Sequence, residues 1–191
     1  MLSPSEIREL QRRLAVYDDE SAYKELFLVY YKPLQQFAFS FIKSQELAEE
    51  IVSDVFLKIW EKRAELEAIG NLKVYLYVSI KNTALKYLLK QKRQVAISLD
   101  ELDIELESFH WTPEELILTA EMMKKIEEAI NDLPPRCKII FKLIKEDQLR
   151  YKEVAEILNV SVKTIDSQLA IALKKISKAI QLDLERVIRN N

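Results

Sequence analysis

The residues whose types and spacing could do chemistry lie near the C-terminus, and the chemistry they fit is DNA recognition. Residues 156–169, EILNVSVKTIDSQL, have the pattern of the turn and second helix of a helix-turn-helix, a motif that inserts the start of its second helix into the major groove. There Gln168 could pair with an adenine edge, Ser167 with several bases, and Ala170 or Ile171 with a thymine methyl group. Asp166 on the same helix is unexpected beside a polyanion. For this motif alone, a helical hairpin in a core or a protein interface is the alternative interpretation.

Catalytic and metal-binding chemistry has few candidate residues in this chain. His110 is the only histidine and Cys137 the only cysteine, and neither stands at a spacing that pairs it with further ligands. Cys137 lies in an apolar run, RCKIIFKLI, so we expect it to be a small buried hydrophobe. The amphipathic N-terminus differs from a secretion signal, and no apolar run approaches the length of a membrane span. The sequence therefore predicts a cytoplasmic protein that is not an enzyme, with no metal, no cofactor and no membrane insertion.

Charge divides the chain into regions, although the formal net charge is only −2. Residues 1–70 carry 9 basic and 13 acidic side chains, whereas residues 71–93 carry 6 basic and no acidic ones. Residues 94–121 carry 8 acidic and no basic side chains, and residues 134–178 carry 10 basic and 5 acidic ones. Two positive regions therefore flank a negative connector. The small net negative charge of the whole chain is the sum of these positive and negative regions.

Helices must position the candidate residues, because the chain has one glycine and five prolines and strand-rich folds need many tight turns. Apolar residues recur at steps of three and four. In the first half this pattern predicts helices over about 4–16, 18–43, 45–69 and 72–92. We expect Pro33 to kink or divide the second of these helices. We expect Gly70 to end the third in a left-handed conformation.

The second half begins after residues 94–113, an acidic stretch without a sustained apolar face that we interpret as a linker. A helix over 114–133 should end at two prolines, and the helix-turn-helix should start at Tyr151. Asn159 should adopt the positive φ of the turn, and Ser161 should cap the next helix. The expected buried stripe of that helix is Ile165, Leu169, Ala172, Leu173 and Ile176. The predicted fold is all-α, with small helical modules over 1–93 and 114–191 joined by the acidic linker 94–113.

Residues 71–93, NLKVYLYVSIKNTALKYLLKQKR, form a second candidate nucleic-acid surface. The segment combines unopposed positive charge with three aromatic rings, Tyr75, Tyr77 and Tyr87. Rings on which bases stack, together with cations that follow the backbone, are what single-stranded nucleic acid needs. The alternative is that the tyrosines belong to the core and the lysines are merely solvated.

Three segments, taken in their order along the chain, resemble the extracytoplasmic-function (ECF) sigma factors of bacterial RNA polymerase. The resemblance covers about residues 20–93 and 114–178. Residues 21–63, SAYKELFLVYYKPLQQFAFSFIKSQELAEEIVSDVFLKIWEKR, resemble the first conserved segment and polymerase-binding helix of that family. Residues 71–93 resemble its promoter-melting segment. Residues 133–176, LPPRCKIIFKLIKEDQLRYKEVAEILNVSVKTIDSQLAIALKKI, resemble its C-terminal promoter-binding module. The resemblance implies a protein that directs core RNA polymerase to promoters and helps to melt the −10 element.

The resemblance also implies roles for particular residues. Docking on the polymerase would use outward residues of the helix over 48–63, namely Glu50, Asp54 and Lys58. Capture of an unstacked base of the −10 element would use Asn82 and the loop 69–73, including Gly70, Asn71 and Lys73. Lys81, Lys86 and Lys90 would hold the melted single strand. Binding of the −35 element as a duplex would use Ser161, Lys163, Thr164, Asp166, Ser167, Gln168, Ile171 and Lys174. An anti-sigma factor, the usual control in this family, is a candidate further partner.

Asp166 and Ile171 depart from the family pattern, in which these positions commonly carry basic side chains. An aspartate can accept a hydrogen bond from a cytosine amino group, but it gives up attraction to phosphate, so the −35 preference of a relative does not transfer to this chain. Two alternatives are an autonomous helix-turn-helix regulator and a helical adaptor that binds only protein. The first leaves the basic segment 71–93 unexplained, and the second leaves the segregation of charge unexplained.

Overall fold

The computed structural model describes the backbone of residues 2–92, 98–106 and 120–189, and the side chains of 2–91, 98–106 and 122–180. Within these ranges all regular elements are helices, which confirms the predicted all-α class. They are α1 (Pro4–Tyr17), α2 (Glu20–Ile42), α3 (Gln45–Glu61), a 3-10 helix (Arg63–Ala68), α4 (Leu72–Lys92), α5 (Ala120–Asn131), α6 (Pro135–Lys145), α7 (Tyr151–Leu158) and α8 (Val162–Arg189). His110 and the predicted helix start at 114–119 lie outside the described residues.

The chain divides into two compact units, Met1–Ala96 and Ile97–Asn191. The predicted module boundaries at 93 and 114 fall beside or within segments outside the described residues and stay predictions. In the N-terminal unit α2 packs on α3 and α4, and α1 packs on α2 and on the 3-10 helix. In the C-terminal unit α8 packs on α5, α6 and α7.

The helix starts in the N-terminal unit follow from local capping. The Ser3 hydroxyl accepts from the amide of Glu6, and the Glu6 carboxylate accepts from the amide of Ser3 at 2.7 Å. This reciprocal pair satisfies amides that have no partner within α1. Asp18 then ends α1 at φ 51°, and the Asp19 carboxylate accepts from the first amides of α2. The helix predicted over about 18–43 thus begins at Glu20, directly behind these two aspartates.

Pro33 does not divide α2, which runs from Glu20 to Ile42 without interruption. A proline inside a helix removes one backbone hydrogen bond and costs about 3 kcal/mol. Buried side chains on both sides of it, Tyr30, Leu34 and Phe37, pack into the core of this unit. We infer that this packing holds the helix together across the missing bond.

The third predicted helix is wrong beyond residue 61. α3 ends at Glu61, the 3-10 helix Arg63–Ala68 follows, and Gly70 has no positive φ. Leu66 of the 3-10 helix is buried, and that helix packs on α1. Gly70 is exposed and ends no α-helix, so its expected left-handed role is also wrong.

The C-terminal unit contains a buried ion group that the sequence analysis missed. The Lys142 ammonium lies 3.0 Å from the Glu146 carboxylate and 3.1 Å from that of Asp147, with the lysine side chain 2% exposed. Burial alone would lower the pKa of Lys142, but the two carboxylates outweigh it and hold that pKa raised. The group ties the end of α6 to the turn that leads into α7, the first helix of the helix-turn-helix.

Residues 98–106 of the predicted linker pack on the C-terminal unit, and we name them the acidic strap. Leu102 and Ile104 are 4% and 3% exposed and alternate with three exposed acids, Glu101, Asp103 and Glu105. The Asp100 carboxylate lies 2.8 Å from the Arg136 guanidinium, and the Lys138 ammonium donates to the carbonyl of Ile104 at 3.1 Å. The described part of this stretch thus has an apolar side with a period of two residues, where the sequence analysis found none.

Candidate nucleic-acid and polymerase interfaces

The turn of the helix-turn-helix forms as predicted. Asn159 ends α7 at φ 54° and ψ 52°, and its amide donates to the carbonyls of Ala155 and Glu156. The Ser161 hydroxyl accepts from the amide of Thr164 at 3.0 Å and lies 2.8 Å from the Thr164 hydroxyl. Because this cap satisfies one of the first amides of α8, the helix begins abruptly at Val162.

Packing of α8 on the rest of its unit decides which side chains face outward. Ile165, Leu169, Ala172 and Ile176 are buried as expected. Leu173 is 44% exposed, so its predicted place in the buried stripe is wrong. The buried positions follow one another at steps of four, three and four residues, and Leu173 lies beyond the edge of that stripe.

Most of the candidate −35 residues lie on the exposed side of α8. Six are exposed and two are partly buried, the exposed ones being Ser161, Lys163, Asp166, Ser167, Ile171 and Lys174. Thr164 is partly buried beside its cap. The Ser167 hydroxyl donates to the carbonyl of Lys163 at 2.9 Å, so its oxygen still has acceptor capacity toward a base.

Gln168 has a more restricted geometry than the sequence suggested. It is partly buried, and its side-chain carbonyl accepts from the Cys137 thiol of α6 at 2.9 Å. Burial raises the pKa of that thiol, so it keeps the proton that it donates. A two-bond contact with adenine uses both the oxygen and the amino group of a glutamine. In this arrangement the thiol uses one lone pair of the Gln168 oxygen, and the second lone pair and the amino group remain for DNA.

The candidate −10 residues lie along α4 and the segment just before it. Gly70, Asn71, Asn82, Lys86 and Lys90 are exposed, and Lys73 and Lys81 are partly buried. The Asn71 side-chain oxygen accepts from the amide of Val74 at 3.2 Å and caps α4. Asn82, Lys86 and Lys90 stand four residues apart along the chain and therefore share one face of α4.

The ring and ammonium groups of α4 divide between core and surface. Tyr77 is fully buried, with its ring centroid 4.9 Å from that of Phe37, so the core interpretation holds for this residue. Tyr75 and Tyr87 are exposed. Half-burial lowers the pKa of Lys81. Two rings and the exposed lysines therefore remain on the surface of the helix.

The candidate polymerase-binding residues share one face of α3. Glu50, Asp54 and Lys58 are exposed at successive steps of four, and the opposite side is buried through Ile51 and Val55 among others. Leu57 lies on the same exposed face and is 55% exposed. Leu57 was not among the residues predicted from the sequence, although a leucine that departs from the apolar stripe of a helix is a detectable signal.

The described part of the chain offers neither a membrane-spanning helix nor a metal-binding cluster. No helix there is both long and apolar enough to cross a bilayer. Within the same ranges no three histidine, cysteine or acidic side chains gather at a distance suited to a metal ion.

Comparison with known proteins points to one family for both units. The family model for sigma-70 region 2 matches residues 26–94, and that for sigma-70 region 4 matches residues 123–176. The ECF RNA polymerase sigma-E factor of Escherichia coli is 26% identical over 171 residues, covering 85% of this chain and 88% of the relative. The ECF RNA polymerase sigma factor SigM of Bacillus subtilis is 22% identical over 152 residues, covering 80% and 91%.

Solved structures agree with these sequence matches. The sigma factor RpoE of Bartonella quintana, in complex with the anti-sigma factor NepR, has a TM-score of 0.58 and 25% identity over 84% of this chain and 98% of that one. CnrH, in complex with the cytosolic domain of CnrY, has the same TM-score at 18% identity over 93% and 99% and supports the fold alone. The family models cover more than half of the chain, one in each unit, in the order of a sigma factor. The chain belongs to the extracytoplasmic-function sigma factors, which direct bacterial RNA polymerase to promoters.

Proposed function

We propose that this sigma factor opens promoters through α4 and the segment 69–73, and selects them through the first turns of α8. The observation that carries the proposal is the surface of α4. Lys86 and Lys90 follow Asn82 along one exposed face, and residues 71–93 contain no acid. A face of this kind can follow the backbone of a single strand while Tyr75 and Tyr87 offer rings for stacking.

Recognition of the −35 duplex falls to the outward side of α8. Its capped N-terminus and Lys163 suit phosphate, whereas Ser167 and Ile171 suit base edges. The Gln168 amino group can donate to a purine N7 or a carbonyl oxygen of a base. Asp166 can accept from a cytosine amino group. The predicted set of eight residues keeps these roles.

Docking on the polymerase falls to the exposed face of α3, with Glu50, Asp54 and Lys58 joined by Leu57. An exposed leucine among charges provides an apolar contact at the centre of such a surface. The chain itself performs no chemistry in this proposal, and it acts in the cytoplasm, where the polymerase acts. The modules 1–93 and 114–191 divide these tasks, with the linker 94–113 between them.

Control by an anti-sigma factor completes the proposal. The solved structure of RpoE from Bartonella quintana is a complex with the anti-sigma factor NepR. A partner of that class would hold this chain away from the polymerase until a signal releases it.

Transcription from a genomic DNA library, with and without core RNA polymerase, tests the proposal. The free protein should bind duplex promoters weakly, because the first two turns of α8 expose one lysine and one aspartate, Lys163 and Asp166. With core polymerase it should give specific open complexes. Tight sequence-specific duplex binding by the free chain, without a response to polymerase, would instead identify an autonomous regulator.

A further inference from the structure

Gln11 of α1 is a buried polar side chain with an unusual set of partners. It is 2% exposed, and its amide donates to the carbonyls of Leu66 and Ile69, each at 3.1 Å. Arg8, one turn earlier, donates to the same carbonyl of Ile69 at 3.0 Å. Both hydrogens of the Gln11 amino group are therefore used, and both bonds cross more than 50 residues of sequence.

The two carbonyls lie where the 3-10 helix ends and the segment 69–73 begins. The Leu66 carbonyl also accepts from the amide of Ile69 at 2.9 Å, so Gln11 closes the last turn of that helix from outside. Carbonyls at a helix end have no partner within the helix and must be satisfied by other groups. At the other end of the same helix, Arg63 is paired with Asp18, which ends α1. α1 thus holds the 3-10 helix at both ends.

The same backbone shapes the surface next to the proposed −10 site. Leu66 and Ile69 line an open cleft together with Ile59 and the exposed ring of Tyr75. Two residues after Ile69, Asn71 caps α4. A shift of the Leu66 and Ile69 carbonyls would therefore move one wall of the cleft. It would also move the backbone that leads to Asn71, the cap of α4.

An amide at position 11 is not needed for burial alone. The neighbouring buried positions of α1, Leu10 and Leu14, are leucines, and a leucine would fill a similar volume. What a leucine cannot do is donate to two carbonyls at once. The bonding pattern therefore indicates a side chain selected for the backbone geometry that it imposes.

We propose that Gln11, assisted by Arg8, is a positioning residue for −10 recognition: it fixes the segment 66–71 in the shape that captures an unstacked base. This inference rests on the proposed role of segment 69–73. It assigns a role to α1, which precedes the matched region 26–94. Gln11 touches no DNA in this scheme, so its loss should relax base selection rather than remove strand binding.

Selection from a pool of premelted promoters tests the proposal without knowledge of the natural promoter. Holoenzyme made from the full chain and core polymerase is mixed with DNA whose non-template strand is randomised across the −10 positions, and retained DNA is sequenced. The variants are Gln11→Leu and Arg8→Ala. The matched control is Ser40→Ala, because Ser40 is also buried in this unit and its hydroxyl donates to the Phe37 carbonyl of its own helix at 2.7 Å.

For Gln11→Leu we expect enrichment of the selected base at one position to fall about tenfold, the effect of losing about one net hydrogen bond. Arg8→Ala should lower it at the same position by a smaller factor, and total retained DNA should change little. Ser40→Ala should leave the base profile unaltered even where it lowers the unfolding temperature. Arg8, which is exposed, keeps the test decisive if Gln11→Leu fails to fold.

Three results have distinct meanings. No enrichment at any position with the original protein would overturn the proposed −10 role itself. Normal enrichment with the original protein and an unaltered profile for both Gln11→Leu and Arg8→Ala would overturn only the positioning role. Relaxed selection with Ser40→Ala to the same degree would also overturn it, because the effect would then follow stability alone.

Discussion

Removal of Lys86 and Lys90 by alanine substitution is the sharpest test of strand binding by α4. Both ammonium groups are exposed, they stand one helical turn apart, and the segment 71–93 contains no acid to compete for them. A lysine that neutralises a phosphate releases counterions, so its loss lowers the salt dependence of binding. The double variant should therefore bind a premelted promoter more weakly and with a shallower dependence on salt.

The magnitude follows from the number of contacts. Each single-strand phosphate contact contributes about 0.7 to the slope of log affinity against log salt. Two lost contacts lower the slope by about 1.4. Between 50 and 200 mM salt, the ratio of the original protein's affinity to that of the variant should therefore shrink by about sevenfold. The measurement is equilibrium binding of holoenzyme to labelled premelted DNA across that salt range.

A matched variant separates this local effect from net charge. Lys24→Ala with Lys32→Ala removes two exposed lysines from α2 of the same unit and should leave the slope unaltered. If the α4 variant kept the original slope and formed open complexes normally, the lysines would be solvated surface and the proposed path of the strand would be wrong. An equal drop in slope for both variants would indicate a general electrostatic effect and would refute a specific path along α4.

Three further predictions concern the C-terminal unit. Gln168→Ala should change the preference at one −35 base pair by about 1–3 kcal/mol, measured by binding of holoenzyme to single-base promoter variants; an unaltered profile would assign that pair to another residue. Lys142→Met should destabilise the unit by about 3–5 kcal/mol in urea unfolding, because it leaves the Asp147 and Glu146 carboxylates buried without their cation; a loss below about 1 kcal/mol would contradict this. Leu102→Ala should loosen the acidic strap and speed cleavage after Glu101 by a glutamate-specific protease, and equal rates would mean that the strap does not depend on this contact.

Local patterns in the sequence predicted the main helices well. The bounds of α4, Leu72–Lys92, agree at both ends with the prediction, and the positive φ of Asn159 followed from its place in the turn. In each case the determining interactions lie within a few residues, through apolar spacing or a cap. Sequence patterns are informative about this range of interaction.

The failures arise where distant residues decide the structure. The end of the 3-10 helix is bonded to Gln11, which lies 55 residues before Leu66, so no local window contains both partners. The orientation of Gln168 depends on Cys137, 31 residues away. The acidic strap is a different case, because Leu102 and Ile104 already alternate with acids and a search for a period of two would have found them.

The two proposed DNA-binding surfaces should differ in their response to salt, and this difference would explain how a chain with net negative charge can bind DNA. In the first two turns of α8 the exposed charges of Lys163 and Asp166 offset each other, whereas Lys86 and Lys90 on α4 face no acid of their own helix. Counterion release depends on neutralised phosphates, and contacts such as that of Ile171 with a methyl group release none. Scrambling the −35 base pairs should therefore weaken holoenzyme binding by a factor that is nearly constant between 50 and 200 mM salt. Removing the −10 non-template strand should instead lower the slope itself. If scrambling the −35 element changed the slope as strongly as removing the −10 strand, α8 would neutralise as many phosphates as α4, and the offset of charge at its start would have no functional meaning.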